Sequence, residues 1–233
     1  MKTRKGLDNW ISKTVRDIVF GMEDGLVSHL GLVLGVYFGS KDFYAVILAG
    51  MASMIAGAFS MSAGTYLSAK SQREVYEQEI NKTNEYLNKN PKQCLKRMEL
   101  LLKKEGLTKN EVKALINNSH RKHHPQFICN YVAQKKVGIS KEKLDLPLKN
   151  AFTMFLAFLL GSIFPIFPFF LKTKFAVYIA IILTTIVLLL VGIGKTIYTK
   201  RNWFKSGMEI VLVGIGAGVL GYLVGFLVHY FIR

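Results

Sequence analysis

Residues 175–198 read FAVYIAIILTTIVLLLVGIGKTIY and carry no charged side chain before Lys195. A run of about 20 apolar residues is long enough to cross the hydrocarbon core of a bilayer as one helix. Four further segments are comparably long, although glycine and polar residues dilute the first two of them: Val15–Phe38, Tyr44–Ala69, Lys149–Leu171 and Gly207–Phe231. The sequence therefore predicts an all-α integral membrane protein with five transmembrane helices, and a helical domain between the second helix and the third.

These spans predict how the chain is divided. The predicted parts are a basic N-terminal tail (1–14), transmembrane helices 1 and 2 (15–69), a cytoplasmic helical domain (70–148) and transmembrane helices 3 to 5 (149–233). The first span is not expected to be a signal peptide, because Asp17, Glu23 and Asp24 interrupt it and no small-residue cleavage site follows it.

The net charge of +16 raises the question of a nucleic-acid partner. The positions of the Lys and Arg residues argue against one, since most lie in the tail, the 70–148 insert and the connection between helices 4 and 5. Such asymmetry is typical of the cytosolic side of a membrane protein. We therefore expect lipid headgroups rather than nucleic acid at this basic surface. The protein is predicted to be a multi-pass protein of the cytoplasmic membrane or of an organelle membrane.

The insert contains residues that are typical of helix starts and helix ends, and it shows no strand pattern. The second membrane helix continues without a breaker to Lys89, after which Pro91 begins another helix and Gly106 ends it. Thr108 and Glu111 form a capping-box pattern that begins a third helix. The predicted cytosolic location makes a disulfide between the two cysteines of the insert unexpected.

Two membrane helices contain glycines at close helical spacing. The first has Gly31, Gly35 and Gly39, four residues apart, and the fifth has a similar set at Gly214, Gly218, Gly221 and Gly225. Small residues at this spacing let two helix backbones approach closely in lipid. The ridges indicate either packing within one chain or a dimer interface.

Carboxylates inside the first span are the clearest functional signal. A charged residue at a helix centre in the membrane costs about 2.5–3.5 kcal/mol on insertion scales, so such residues usually face a cavity or a partner. Glu23 and Asp24 lie within the span, and Ser28 follows Asp24 by one turn on the same face. The alternative is that both carboxylates lie near the interface and are solvated.

The second helix offers a possible complement in a stripe spaced by three and four residues: Met51, Met54, Ala58, Met61 and Thr65. Such a stripe is often only packing. If it faces a buried carboxylate, oxygen and thioether together suit a first-row divalent metal better than Mg²⁺ or Ca²⁺. Because burial raises a carboxylate's proton affinity, one aspartate could hold a proton and a metal in turn, as an exchanger requires.

The insert carries a second group of metal-ligand types: His120, His123, His124 and Cys129. Their spacing matches no standard zinc pattern, and solvated histidines are the alternative. The sequence contains no phosphate-binding glycine loop and no nucleophile with an evident base. We therefore expect no enzymatic activity and no permanently bound cofactor.

Two stretches resemble the vacuolar iron transporter (VIT) family. RDIVFGMEDGLVSHLGLVLGV (16–36) matches the family pattern RDI…DGLVS…LGL…G in the first helix. AGMASMIAGAFSMSAGTYLSAKSQRE (49–74) matches AG…AGA.SM..G.Y.S.KSQ.E in the second. LLGSIFPIFPFF (159–170) is similar to the family's proline-bearing third helix, and the closing helix from Phe204 also fits.

The resemblance implies a homodimeric transporter that moves Fe²⁺, and often Mn²⁺, out of the cytosol in exchange for protons. By position, Asp24 matches the family's pathway aspartate and Met61 its pathway methionine. The metal and the protons are then substrates rather than cofactors. The candidate pathway consists of Asp24, Met61, Glu23, Met54, Ser28 and Thr65.

The chain departs from the family pattern where other members carry glutamates. Ser53 and Thr65 stand at two such places in the second helix. The insert has non-acidic residues at the family's cytoplasmic metal positions: Thr83, Tyr86, Cys94, Arg97 and Lys136. An acidic cluster of Glu74, Glu77 and Glu79 remains near the membrane as a possible cytoplasmic site. These departures favour the alternative function, a membrane adaptor that kept the fold and lost transport, whereas Asp24 and the methionine stripe favour transport.

Overall fold

A computed structural model describes residues 2–104, 106, 108, 110–111, 147–200 and 202–232. Over these residues the chain forms helices and no strands. The helices are α1 (Lys2–Ser40), α2 (Phe43–Lys89), α3 (Pro91–Lys104), α4 (Pro147–Phe170), α5 (Ala176–Thr199) and α6 (Trp203–Ile232). The prediction of an all-helical chain is confirmed.

The prediction of five membrane-spanning helices is also confirmed. The segments long and apolar enough to cross a bilayer are Thr14–Ser40, Phe43–Tyr86, Pro147–Phe170, Ala176–Ile197 and Trp203–Phe231. Helix α1 begins at Lys2, so the residues of the predicted N-terminal tail continue the first membrane helix towards the N-terminus. Helix α4 continues past Pro165 and Pro168, and both prolines are buried.

The chain divides into two compact units, one formed by Met1–Leu67 with Leu146–Arg233 and the other by Ser68–Asp145. In the second unit the end of α2 is joined to α3, because the Tyr86 hydroxyl donates to Gln93 Oε1 at 2.8 Å. Gly106 follows α3 with a φ of 92°, a conformation that favours glycine.

The predicted capping box forms after α3. The Thr108 hydroxyl donates to Glu111 Oε2 at 2.7 Å, and the Thr108 backbone N–H donates to the same oxygen at 2.8 Å. These bonds hold the pKa of the Glu111 carboxyl below its usual value, with the hydroxyl as the larger cause. The helices predicted beyond Glu111 lie outside the described residues.

Helix α1 packs closely against α4 and α6 within the first unit. On its α4 side, a Cβ added to Gly25 would lie 2.5 Å from the Phe158 carbonyl oxygen. On its α6 side, a Cβ on Gly31 would lie 3.0 Å from the Ala217 carbonyl oxygen, and one on Gly35 would lie 3.0 Å from the Gly221 carbonyl oxygen. The glycine ridge of α1 is therefore covered by α6 of the same chain. Of the two predicted roles, packing within one chain is the one that the structure shows for these glycines.

Two apolar clusters hold the membrane helices together. In the larger one, side chains of α1, α2, α4 and α5 meet, with Val33, Val46 and Phe169 fully buried. In the smaller one, Leu26 of α1 meets Leu188 of α5 and residues of α6. Helix α2 contacts α4, since a Cβ on Gly50 would lie 3.1 Å from the Ile166 side chain, and it contacts α1 through the rings of Phe43 and Tyr37, whose centroids lie 5.5 Å apart.

Candidate functional site

Glu23 and Asp24 lie on α1 beside its tight contact with α4. Gly21 and Gly25 occupy that contact and are buried, whereas the two carboxylates between them are half-buried. The close glycine packing fixes the backbone that carries both carboxylates. Ser28 lies one turn beyond Asp24 on an exposed position, and its hydroxyl donates to the Asp24 carbonyl oxygen at 2.5 Å.

The two neighbouring carboxylates differ in their electrostatic surroundings. Glu23 interacts electrostatically with Lys195 of α5 and Glu209 of α6, whose Nζ and Oε2 atoms are 3.9 Å apart. No described basic side chain forms an ion pair with Asp24. A carboxylate without a fixed cationic partner retains capacity to bind a mobile cation, so Asp24 is the better ligand candidate.

Sequence reasoning missed the electrostatic interaction of Lys195 and Glu209 with Glu23. A signal for it was present, because each of the two residues is charged and lies inside or at the edge of a predicted apolar span. Intramembrane charges usually pair with one another. The sequence could therefore have indicated that Lys195 and Glu209 pair with another charged group, but not that Glu23 is their neighbour.

The methionine stripe of α2 does not form one continuous lining. Met54 is buried in the larger apolar cluster beside Leu30 and Ile166, so for this residue the packing alternative holds. Met51 is exposed on the other side of the stripe. Met61 is half-buried, and Thr65 one turn later donates its hydroxyl to the Met61 carbonyl oxygen at 2.8 Å.

Helix α4 lies between α1 and α2 at the depth of the carboxylates. The Phe158 ring of α4 makes an edge contact with His29 of α1, with centroids 5.5 Å apart. The same ring lies against α2, because a Cβ on Gly57 would be 2.7 Å from Phe158 Cε1. Phe158 of α4 therefore contacts both the helix that carries Asp24 and the helix that carries Met61.

His29 is a buried ligand-type side chain that the sequence analysis did not select. Its Nδ1 atom lies 3.0 Å from the Gly25 carbonyl oxygen. Because the Ser28 hydroxyl hydrogen is already donated to the Asp24 carbonyl, the hydrogen-bond network assigns the His29 hydrogen to Nδ1. Nε2 is then an acceptor, and it has no partner among the described residues. A histidine within an apolar span was the signal that could have identified it.

The described residues contain no group of three or more His, Cys, Asp or Glu side chains that could hold a metal. A cation at Asp24 would therefore draw on mixed oxygen and thioether ligands, or on ligands from a second copy of the chain. The predicted group of His120, His123, His124 and Cys129 lies outside the described residues.

The acidic cluster of the insert is described, and two of its members are paired. Glu77 Oε1 lies 2.8 Å from Arg73 Nε, and Glu74 Oε1 lies 3.9 Å from Lys70 Nζ. All these side chains and Glu79 are exposed on α2. A cation would have to displace a basic neighbour one turn away from Glu74 and from Glu77.

We expect the Glu74→Gln/Glu77→Gln/Glu79→Gln triple variant to bind Fe²⁺ as tightly as the wild type at micromolar concentrations. Those carboxylates are solvated and partly neutralised by Arg and Lys, so they contribute little to metal affinity. Calorimetry on the full-length protein, with Fe²⁺ under anaerobic conditions, measures this. A micromolar site that disappears in the triple variant would contradict the expectation, while loss on His123→Ala and Cys129→Ser substitution would indicate a His/Cys site instead.

Comparisons with known proteins agree with the residue patterns of α1 and α2. The model of the VIT family matches residues 15–226. The chain is 30% identical to Vacuolar iron transporter 1 of Eucalyptus grandis over 210 residues, covering 89% of this chain and 84% of the relative. It is 27% identical to Vacuolar iron transporter 1 of Arabidopsis thaliana, covering 93% and 86% of the two chains. It is 23% identical to the Vacuolar iron transporter of Toxoplasma gondii, covering 95% and 76%.

The family match and these relatives extend through all five membrane-spanning helices and the insert between the second and third of them. The match begins within α1 and ends within α6. The chain is therefore a multi-pass membrane protein, and it belongs to the VIT family.

Proposed function

We propose that this protein transports divalent iron, and manganese as well, out of the cytosol in exchange for protons. Its relatives in plants and in Toxoplasma gondii carry the name of iron transporters. The observation that carries the proposal is Asp24, a half-buried membrane carboxylate with no ion-pair partner among the described residues. A membrane protein retains such a costly group where it binds a cation or a proton.

The proposed mechanism uses one carboxylate for two alternative ligands. Deprotonated Asp24 attracts Fe²⁺ from the cytosolic side, while Met61 supplies a thioether that a borderline metal accepts and Mg²⁺ does not. In the receiving compartment a proton binds the Asp24 carboxylate and removes its charge, so the metal leaves. Glu23 interacts electrostatically with Lys195, whereas Asp24 has no ion-pair partner among the described residues, so we assign the exchange to Asp24.

The direct test of this function is metal uptake by proteoliposomes that contain the purified protein. Fe²⁺, Mn²⁺ and Zn²⁺ are compared in parallel, with vesicles lacking protein as the baseline. Uptake of Fe²⁺ above that baseline supports the proposal. A wild type that moves none of the three metals would contradict it.

Met61→Ala is expected to reduce Fe²⁺ uptake by roughly tenfold or less. This loss is smaller than the loss expected when the Asp24 carboxylate is removed. The thioether is a softer ligand than oxygen, so its removal penalises Fe²⁺ more than the harder Mn²⁺. The ratio of Mn²⁺ to Fe²⁺ initial rates should therefore rise. Met51→Ala is the matched control, because Met51 is an exposed methionine on the same helix. An unchanged metal ratio in Met61→Ala would remove Met61 from the mechanism.

We also propose that the protein is a homodimer whose pathway lies between the two copies. Within the most apolar 18-residue segment of each helix, 22% of the segment is buried in α2 and 50% is buried in α4. The outward face of α2 carries small exposed residues four apart, at Ala52, Ala56, Ser60 and Gly64. Small residues at this spacing favour close packing of membrane helices, and α2 of a second copy is the partner we infer. That arrangement would bring ligands of two protomers to one pathway.

Ala56→Leu is expected to shift the protein towards monomers. A larger side chain at the centre of the small-residue face would separate the two α2 backbones. The measurement is mass determination of the complex in native lipid. Gly216→Leu is the control, because Gly216 of α6 is exposed and a Cβ there would meet nothing within 4 Å. A wild type that is monomeric under the same conditions would contradict the dimer.

The transport-inactive adaptor is the second candidate function. It is favoured by the absence of glutamates at Ser53 and in the Gly64-Thr65-Tyr66 element, where the family resemblance leads one to expect them. An adaptor needs no exchanging carboxylate, so Asp24→Asn would leave it unchanged. The proteoliposome comparison of three metals therefore separates the two functions.

A further inference from the structure

A groove of about 560 Å³ opens between α5 and α6, with α1 as its floor. The floor consists of apolar side chains such as Leu34 and Phe38, and the walls include Val177, Ile181 and Val219. The volume lies in the range of protein sites for small molecules, about 300–1,000 Å³. The groove lies apart from Asp24 and from the other residues of the candidate pathway.

Helices α5 and α6 are in close backbone contact towards the end of α5 that lies away from Lys174. A Cβ on Gly192 of α5 would lie 2.7 Å from the Gly207 Cα of α6, so the two backbones touch there. The groove is lined from Lys174, at the opposite end of α5, to Thr185 near the middle of that helix, and Tyr37 and Phe38 of α1 are half-buried in its lining.

Two lysines line this groove, Lys41 directly after α1 and Lys174 directly before α5. Lys41 Nζ lies 4.4 Å from the centre of the Phe38 ring, which holds the ammonium over an aromatic face of the groove. No described carboxylate forms an ion pair with either lysine. Asp42 is adjacent in sequence, but its carboxylate accepts the backbone N–H groups of Tyr44 and Ala45 at the start of α2.

The length of the groove matches one leaflet of a bilayer. Its lining on α1 runs from Lys41 back to Leu30. The eleven residue-to-residue steps between them correspond to roughly 16 Å at a helical rise of about 1.5 Å per residue. The hydrocarbon core of a bilayer is about 30 Å thick, so the lining extends from the interface to about the midplane. An acyl chain anchored at the interface has that reach.

We propose that this groove binds an anionic phospholipid from the leaflet at the α1 C-terminal end. One acyl chain lies along the apolar floor and walls, and the phosphate lies between Lys41 and Lys174. Two ammonium groups that pair with no carboxylate in the described part of the chain complement an anionic headgroup, and each basic side chain near a membrane surface favours such lipids. A free phosphate ion would leave the apolar lining uncovered, which is why a lipid is the occupant. The site is independent of whether the protein transports metal.

The test uses the full-length protein in neutral detergent and native mass spectrometry with phosphatidylglycerol and phosphatidylcholine of identical acyl chains. Phosphatidylglycerol is expected to bind roughly tenfold more tightly, because two lysines contribute. Lys41→Gln/Lys174→Gln should abolish the preference. Lys172→Gln is the matched control, since Lys172 is exposed at the same end of the bundle and does not line the groove.

A second arm tests the acyl chain. Val219→Trp would fill the groove, so binding of both lipids should fall, whereas Ile182→Trp, at an exposed position outside the groove, should retain it. Glycerol phosphate, a headgroup without chains, should not compete with phosphatidylglycerol. Equal binding of the two lipids by the wild type would overturn the proposal. An equal effect of Lys172→Gln, or competition by glycerol phosphate at matched concentration, would also overturn it.

Discussion

Asp24→Asn is expected to reduce iron uptake to the level of vesicles without protein. The substitution preserves the size of the side chain and removes its ability to carry a charge or a proton. Because no described basic group pairs with Asp24, no compensating cation is left unpaired by the change. The loss should therefore appear in transport and not in stability. Initial Fe²⁺ uptake at equal protein content, together with the thermal midpoint in detergent, measures both effects.

The control for this variant is Asp42→Asn. Asp42 also lies at a membrane helix, where its carboxylate caps the first backbone N–H groups of α2. Asparagine is about as good an N-cap as aspartate, so this change should leave the fold and the uptake intact. Wild-type uptake in Asp24→Asn would remove the carboxylate from the mechanism, and loss of uptake in Asp42→Asn would show that the assay responds to any lost charge.

Among single Gly→Ala substitutions in the α1–α6 contact, Gly221→Ala is expected to destabilise the folded protein most. A Cβ at Gly221 would overlap the carbonyl oxygen of Gly31, which belongs to a backbone and cannot rotate away. The two helices would have to separate and lose the packing that Gly35 and Gly225 also make. Overpacking of this kind costs typically about 1–3 kcal/mol, and we expect the upper end of that range. A thermal unfolding series in detergent measures the loss.

Gly216→Ala is the matched control for this contact. Gly216 lies on the same helix, is exposed, and would place its Cβ within 4 Å of no other group. Alanine has the higher helix propensity, so the control should be neutral or slightly stabilising. A thermal midpoint for Gly221→Ala equal to that of Gly216→Ala would mean that α1 and α6 are not in backbone contact at this point.

The membrane fold could be predicted because apolar length alone identifies a spanning helix. Residues 175–198 and four similar runs correspond to α5, α1, α2, α4 and α6, and Gly106 ends α3 as predicted. The role of the glycine ridge could not be predicted. Its spacing of four fits a partner in the same chain as well as one in a second chain, and only the position of α6 shows that Gly31 and Gly35 meet α6.

The candidate site could be predicted where a single charged residue lies among apolar ones. Asp24 stands out because a carboxylate in an apolar span is costly wherever it points. The methionine stripe was less informative, because periodicity defines a face of α2 but not the helix that this face meets. Met54 meets the core and Met61 does not, since α4 packs against only part of that face. The partners of Glu23 come from α5 and α6, far away in the chain, so no local pattern could join them.

The most direct test of proton-coupled iron transport by this protein is initial Fe²⁺ uptake by wild-type proteoliposomes with and without an acidic interior. If Asp24 exchanges a metal for a proton, uptake should exceed that of protein-free vesicles and should rise further when the receiving side is acidified, because protons release the metal from the carboxylate. Uptake indistinguishable from protein-free vesicles at either interior pH would contradict transport by this chain and would favour the adaptor.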